Sequence, residues 1–270
     1  MILHISLQSK GYDIIRCYGI TKHPNTGDYM LVLQKLKMDL RSFINQNYSI
    51  LKWKNVYQIF WRILSRIYYM HEDNIVHKDL HSGNILIDKV WDITDFGLCG
   101  PADKPQTKIY GNMPYMAPEV IRGGVYTTAA DIYSIGMLMY ETAAGHQPFL
   151  GIDPDIYLAL EICRGIRPTL PEDIPESYAS MMKRCWDADL LKRPTTDELF
   201  DYFYYQYETL TKDWDSVSSF VCSPTKIRYD TSSIASSKSS LFSFENLPEP
   251  RNATNGKNLY FYKLFNEFIF

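Results

Sequence analysis

The apolar positions along the chain change their period several times, and each change marks an element. Between residues 54 and 72, Val56, Ile59, Phe60, Ile63, Leu64, Ile67 and Met70 recur at spacings of three and four. That is one face of an α-helix, so the stretch predicts a long helix with a buried stripe. The stripe reads as core and not as a cofactor box. Residues 129–144 are strongly apolar, which predicts a helix buried on most sides. Shorter helices are predicted at 39–45, 156–164 and 178–186. Thr195 with Glu198 three positions later is a capping box, opening a helix to about Tyr207. Before all of these, residues 13–21 and 29–33 read as strands around a turn at Pro24-Asn25-Thr26-Gly27. Residues 1–8 form a short amphipathic piece, the end of a helix, and Gly11 interrupts it.

The pattern fails after Tyr207. Residues 216–243 are rich in serine and poor in large apolar side chains, so disorder is expected there. Residues 259–270 are aromatic-rich and isolated, suited to docking on the body or binding a partner. Composition adds bounds. With 270 residues and 46% hydrophobic content, the chain can bury a large core. A net charge of −3 gives no electrostatic case for binding nucleic acid or membrane. Cys17, Cys99, Cys163, Cys185 and Cys222 show no paired spacing and read as reduced thiols of a cytoplasmic protein, or a nuclear one. No apolar run approaches membrane-spanning length. Two matches to the glycosylation triplet, at Asn47 and Asn252, read as chance without secretion.

Candidate chemistry sits in one stretch. An apolar run enters the polar loop His77-Lys78-Asp79-Leu80-His81-Ser82-Gly83-Asn84, a short apolar run leaves it, and Asp95-Phe96-Gly97 follows. Taken singly, an Asp in a loop is a turn former and His77 a packing residue. His77 and His81 lie four apart, a zinc spacing on a helix, but Gly83 and Asn84 argue for a loop and no third ligand is evident. Taken jointly, the stretch resembles the catalytic loop and Asp-Phe-Gly of eukaryotic protein kinases. Three further matches support the resemblance. Gly111-Asn112-Met113-Pro114-Tyr115-Met116-Ala117-Pro118-Glu119 is similar to the substrate-docking loop and Ala-Pro-Glu. Asp131 with Gly136 is similar to the start of the central large-lobe helix. Lys192-Arg193-Pro194 is similar to the segment that carries the family's large-lobe arginine.

The resemblance implies an α+β, protein-kinase-like fold, a mostly α-helical large lobe with a remnant small-lobe β-hairpin. It divides the chain into small-lobe remnant and hinge (1–36), large lobe (37–207) and serine-rich tail (208–270). It implies transfer of the γ-phosphoryl of ATP to protein serine or threonine, with Mg²⁺ held by Asn84 and Asp95 and with Asp79 as base. His81 stands where conventional serine/threonine kinases carry lysine, and would touch the γ-phosphate less effectively, because neutral imidazole predominates near pH 7. Leu33 would back the adenine pocket, Gln34, Lys35 and Leu36 would form the hinge, and Leu86 would pack beneath the adenine. Asp131 would bond the catalytic-loop backbone; by itself it reads as a helix N-cap, and the two readings are compatible. Glu119 and Arg193 would pair in a buried site, or else be two surface charges. The loop, with residues 182–187, is similar to the tyrosine-kinase-like group of serine/threonine kinases. Asn112 departs from the usual threonine. Lys78 replaces the usual arginine, which predicts weak dependence on phosphorylation at Thr107 or Tyr110.

No Gly-x-Gly-x-x-Gly and no Val-Ala-x-Lys precede Ile75. The chain by itself is therefore expected to be a poor kinase with an exposed lobe that a protein partner covers. The rival readings are a pseudokinase scaffold and an incomplete gene product.

Overall fold

The longest apolar stripe makes the longest helix. The structure, a computed structural model, describes residues 2–9, 14–102, 109–212, 239–244 and 246–252. In chain order its helices are α1 (Ile2–Ser9), α2 (Leu40–Asn47), α3 (Trp53–Glu72), α4 (Pro118–Ile121), α5 (Thr128–Ala144), α6 (Ile156–Cys163), α7 (Glu176–Cys185) and α8 (Thr196–Lys212). Its strands are β1 (Cys17–Lys22), β2 (Tyr29–Leu33), β3 (Met38–Asp39), β4 (Ile75–Val76), β5 (Ile85–Ile87), β6 (Trp91–Ile93), β7 (Gly100–Pro101), β8 (Ile109–Gly111) and β9 (Ser240–Phe242). The architecture is the expected α+β one, mostly helical after residue 40.

All seven stripe residues of α3 are buried. They face α5, α7 and α8, with Phe60 stacked on Phe203 at 5.0 Å between ring centroids and Tyr178 wedged edge-on against Trp53 at 4.9 Å. Every residue of α5 from Ala130 to Ala144 is buried. The capping box at the head of α8 closes in both directions. Glu198 N–H donates to Thr195 Oγ1, and Thr195 N–H donates to the Glu198 carboxylate, each at 3.2 Å. The helix runs past Tyr207 to Lys212, because Tyr207 and Leu210 extend its packed face.

Among the described residues, four small sheets arrange the loops. β1 and β2 form the expected antiparallel hairpin, which begins at Cys17 rather than at Asp13, a residue outside those described. Tyr18, Ile20, Tyr29, Leu31 and Val32 lie exposed on it. β3, β5 and β6 form a three-stranded antiparallel sheet that carries the chain out of the His77–Asn84 loop. β4 pairs with β7, which ties the entry of that loop to the segment after Asp95.

The fourth sheet differs from the sequence reading. Residues 240–242, within the stretch expected to be disordered, form β9 and pair antiparallel with β8, with Gly111 opposite Ser240, Tyr110 opposite Leu241 and Ile109 opposite Phe242. Two aromatics explain the order. Phe242 and Phe244 stack at 5.7 Å and pack against the core. Residues 259–270 and Thr107 lie outside the described residues.

Candidate active site

One buried carboxylate organises the loop. Asp131, in the first turn of α5, accepts three hydrogen bonds: from His77 N–H (2.7 Å), from Lys78 N–H (3.0 Å) and from the His71 ring (3.0 Å). His71 is held in turn by the Thr196 hydroxyl at 2.6 Å. Burial alone would raise the Asp131 carboxyl, but these bonds hold it below the usual range. Asp131 thus bonds the catalytic-loop backbone as the resemblance implied. Clamping two successive amides there accompanies a left-handed backbone at Lys78 (φ 71°). Asp95 is left-handed too (φ 62°). Non-glycine residues rarely adopt this conformation, and when they do they cluster at functional sites.

His77 is fully buried between the loop and Asp95-Phe96-Gly97. Its Nε2 bonds the Thr94 carbonyl at 3.0 Å, and its ring lies 5.4 Å from Phe96. Burial lowers its affinity for a proton. Phe96 meets His4 of α1 edge-on at 5.1 Å on another side.

Asp79, two residues after His77, turns its carboxylate to the groove bounded by β8. Burial pushes its carboxyl up; hydrogen bonds from the Ser239 hydroxyl and the Asn112 backbone offset part of this. The Asn84 side-chain N–H donates to the Asp79 carbonyl at 2.9 Å. That commits the Asn84 nitrogen and leaves its amide oxygen as the atom available to a cation. Thr94 N–H donates to the Asn84 carbonyl at 2.9 Å, which brings Asp95 alongside. Asp95 is exposed, and its carboxylate also acts on Asp79. An amide oxygen and a carboxylate are hard donors, the small protein share of a Mg²⁺ site that phosphate and water complete. Asn84 and Asp95 therefore fit the metal that the resemblance implies.

His81 accepts from Gly83 N–H through Nδ1 at 3.1 Å. Burial, with Arg41 and His77 adding to it, pushes its ring down to about 3, and the Asp79 carboxylate 3.9 Å away does not offset this. His81 is neutral near pH 7. His77 and His81 lie in a loop, and no zinc-like cluster of three or more His, Cys, Asp or Glu occurs among the described residues.

The four candidate residues of the loop and of Asp-Phe-Gly thus come together. Leu33, Gln34 and Leu36 lie on the run from β2 into β3, and Leu86 stands in β5 opposite Asp39 of β3. Leu33 ends β2, and Gln34 N–H donates to the Arg16 carbonyl at 2.8 Å. Lys37 N–H donates to Ile87, beside Leu86, at 2.9 Å. Leu33, Leu36 and Leu86 are half-buried against the core.

The sequence profile of the protein kinase domain matches residues 3–205. The chain belongs to the protein kinase family. Relatives within it include two proteins of Acanthamoeba polyphaga mimivirus, each named an inferred serine/threonine-protein kinase/receptor. They are 33% identical over 60% and 66% of this chain, and over 10% and 11% of their own length. A protein of Dictyostelium discoideum named a probable serine/threonine-protein kinase is 30% identical over 68% of this chain and 11% of its own. The chain thus spans about a tenth of the length of these relatives.

Beside the residues that the kinase resemblance singled out, the site has a brace that sequence reasoning missed. Glu141 of α5 is fully buried and accepts from Ser82 Oγ and from Tyr115 OH, each at 2.7 Å. Arg41 of α2 reaches Ser82 Oγ at 3.1 Å, Tyr115 OH at 3.3 Å and Glu141 at 3.5 Å. This network joins the catalytic loop to the Pro114–Glu119 segment. Its signal was present in the sequence: a glutamate deep in a mostly apolar helix demands a buried partner. The second omission is Ser239, 160 positions from Asp79 in the chain and in hydrogen-bond contact with it.

Proposed function

We propose that this chain transfers the γ-phosphoryl group of ATP to serine or threonine hydroxyls of proteins. The observation that carries the reading is the Asp79 carboxylate. It is buried, raised in proton affinity, and accepts a serine hydroxyl at 2.8–2.9 Å, the geometry a general base needs. Mg²⁺-ATP, when bound, supplies the electrophilic phosphorus and neutralises its charge. Asn84 Oδ1 and the Asp95 carboxylate would hold the cation. His81, neutral and with Nδ1 occupied, would have its Nε2–H to share between the acceptor hydroxyl and the γ-phosphate. Leu33, Gln34, Leu36 and Leu86 shape the adenine pocket. The names of the relatives support an enzyme over a scaffold. The loop around His81 and residues 182–187 support the tyrosine-kinase-like group. Four free cysteines among the described residues suit a reducing compartment such as the cytoplasm.

The test is purified chain with Mg²⁺-ATP and a generic protein substrate, beside Asp79→Asn. Slow appearance of phosphoserine or phosphothreonine is expected, falling by about 10²–10⁴ in the variant. Equal transfer by both proteins, or transfer to tyrosine alone, refutes the reading.

A further inference from the structure

The hydroxyl on Asp79 belongs to the chain's own tail. Ser239 Oγ lies 2.9 and 2.8 Å from the two carboxylate oxygens of Asp79 and 3.4 Å from His81 Nε2. His81 Nδ1 already accepts from Gly83, so Nε2 carries the ring proton and faces a lone pair of Ser239. Ser239 therefore gives its proton toward Asp79 and receives one from His81. A residue that merely plugs the groove needs no hydroxyl in that position.

The backbone sets this register. β9 adds to β8 as an antiparallel strand, which leaves alternate side chains of the added segment pointing to opposite faces. A slip of one residue would take Ser239 off Asp79. Gly111, opposite Ser240, makes room. Its φ of 152° disfavours side chains, and a Cβ there would stand 3.2 Å from Met116 Sδ and 3.6 Å from Asp79 Oδ1. Beyond β9 the tail is fastened again and again. Arg122 grips the Glu249 carboxylate with both guanidinium nitrogens and reaches the Leu247 carbonyl at 3.4 Å. Arg251 N–H donates to the Cys163 carbonyl at 3.1 Å. Asn252 accepts from Ala188 N–H at 2.8 Å and donates to Asp187 at 3.0 Å.

We propose that residues 239–252 are the chain's own substrate and that Ser239 is the hydroxyl it phosphorylates, within one molecule. The proposal rests on the kinase reading above. In the transfer, Ser239 Oγ forms a bond to the γ-phosphorus of ATP. The bond from that phosphorus to the bridging oxygen breaks, its electron pair going to ADP, and the Ser239 proton goes to Asp79. The product is a phosphoserine dianion beside a protonated Asp79; once Asp79 has passed its proton to solvent, like charges at that distance expel the strand.

Two readouts test this on the 270-residue chain. The first is amide hydrogen exchange without nucleotide. The amides of residues 240–242 should exchange at least about tenfold more slowly than free peptide, and Ser239→Asp should remove most of that protection. Unprotected amides overturn the proposal whatever the activity. The second is site mapping by mass spectrometry after incubation with Mg²⁺-ATP. Phosphate is expected on Ser239, lost in Ser239→Ala, kept in Ser240→Ala, and formed at a fractional rate that dilution does not change. Phosphate on an added protein substrate but none on Ser239 overturns the acceptor assignment while the kinase reading stands. A rate proportional to protein concentration overturns transfer within one molecule. Protected amides with phosphate on neither acceptor defeat the kinase reading, and the acceptor assignment with it.

Discussion

At the scale of single residues, the site keeps two imidazoles neutral by burial. His77 and His81 both bind protons less readily in the folded chain than at the ordinary 6.5. Folding that depresses a histidine's pKa contributes stability above the unfolded value, and that stability is lost as pH falls. For His81 the window runs from 6.5 down to about 3. Asp79 and Glu141, both raised by burial, act in the opposite sense, so a difference between proteins is the clean measure. Urea unfolding at pH 6.5, 6 and 5 should show stability falling more steeply in wild type than in His81→Asn, by about 1.4 kcal/mol per pH unit. Equal slopes would place His81 in water rather than in the site. Asp79, Asn84 and Asp95 could be singled out in the sequence because their loop and Asp-Phe-Gly resemble a known family, and the fold brings them to one place. Ser239 could not, because one serine among many in a polar tail has no local signal. Only β9 pairing and the two phenylalanines distinguish it.

At the scale of elements, the sequence announced helices through their apolar stripes, and each predicted helix is present within a few residues. What periodicity could not announce was how closely they approach. Gly136 lies where α5 meets α7, and a Cβ there would stand 2.7 Å from Cys185 Cβ and 3.5 Å from the Met182 carbonyl. In an isolated helix Gly→Ala gains up to about 1 kcal/mol. Here overpacking, worth about 1–3 kcal/mol, opposes that gain. Gly136→Ala should therefore lower the thermal midpoint. Cys185→Ala keeps the offending Cβ and should not rescue it, whereas Cys185→Gly should do so in part. A rise in the midpoint on Gly136→Ala would mean that the two helices part freely. Strands of two or three residues were hardest to foresee, because so short a run shows no period. β4, β7 and β9 each depend on a partner distant in sequence.

At the scale of the whole molecule, a few side chains tie distant segments. The Arg193 side chain is fully buried and meets Glu119 with both guanidinium nitrogens, at 2.6 and 2.8 Å. It also donates to the Asp187 and Ala129 carbonyls, each at 2.9 Å. The alternative of two surface charges, worth about 0–1 kcal/mol, does not hold. Arg193→Ala leaves Glu119 without its cation and should cost about 3–5 kcal/mol in chemical denaturation. A loss under about 1 kcal/mol would mean that water replaces the guanidinium without penalty.

The strand laid along β8 also bears on every other acceptor. A segment joined covalently to the site it fills is present at an effective concentration of order millimolar. Until Ser239 carries phosphate, an external protein must compete with that figure, not with the micromolar concentration of the kinase itself. The apparent KM for such a protein would rise by one plus the ratio of effective concentration to the tail's own dissociation constant. Excess free peptide of residues 236–252 would scarcely slow phosphorylation of a rival while the tethered copy holds the groove. It would do so sharply once Arg122→Ala had loosened that copy. Cell conditions that detach the tail would then govern throughput without altering any group that touches ATP.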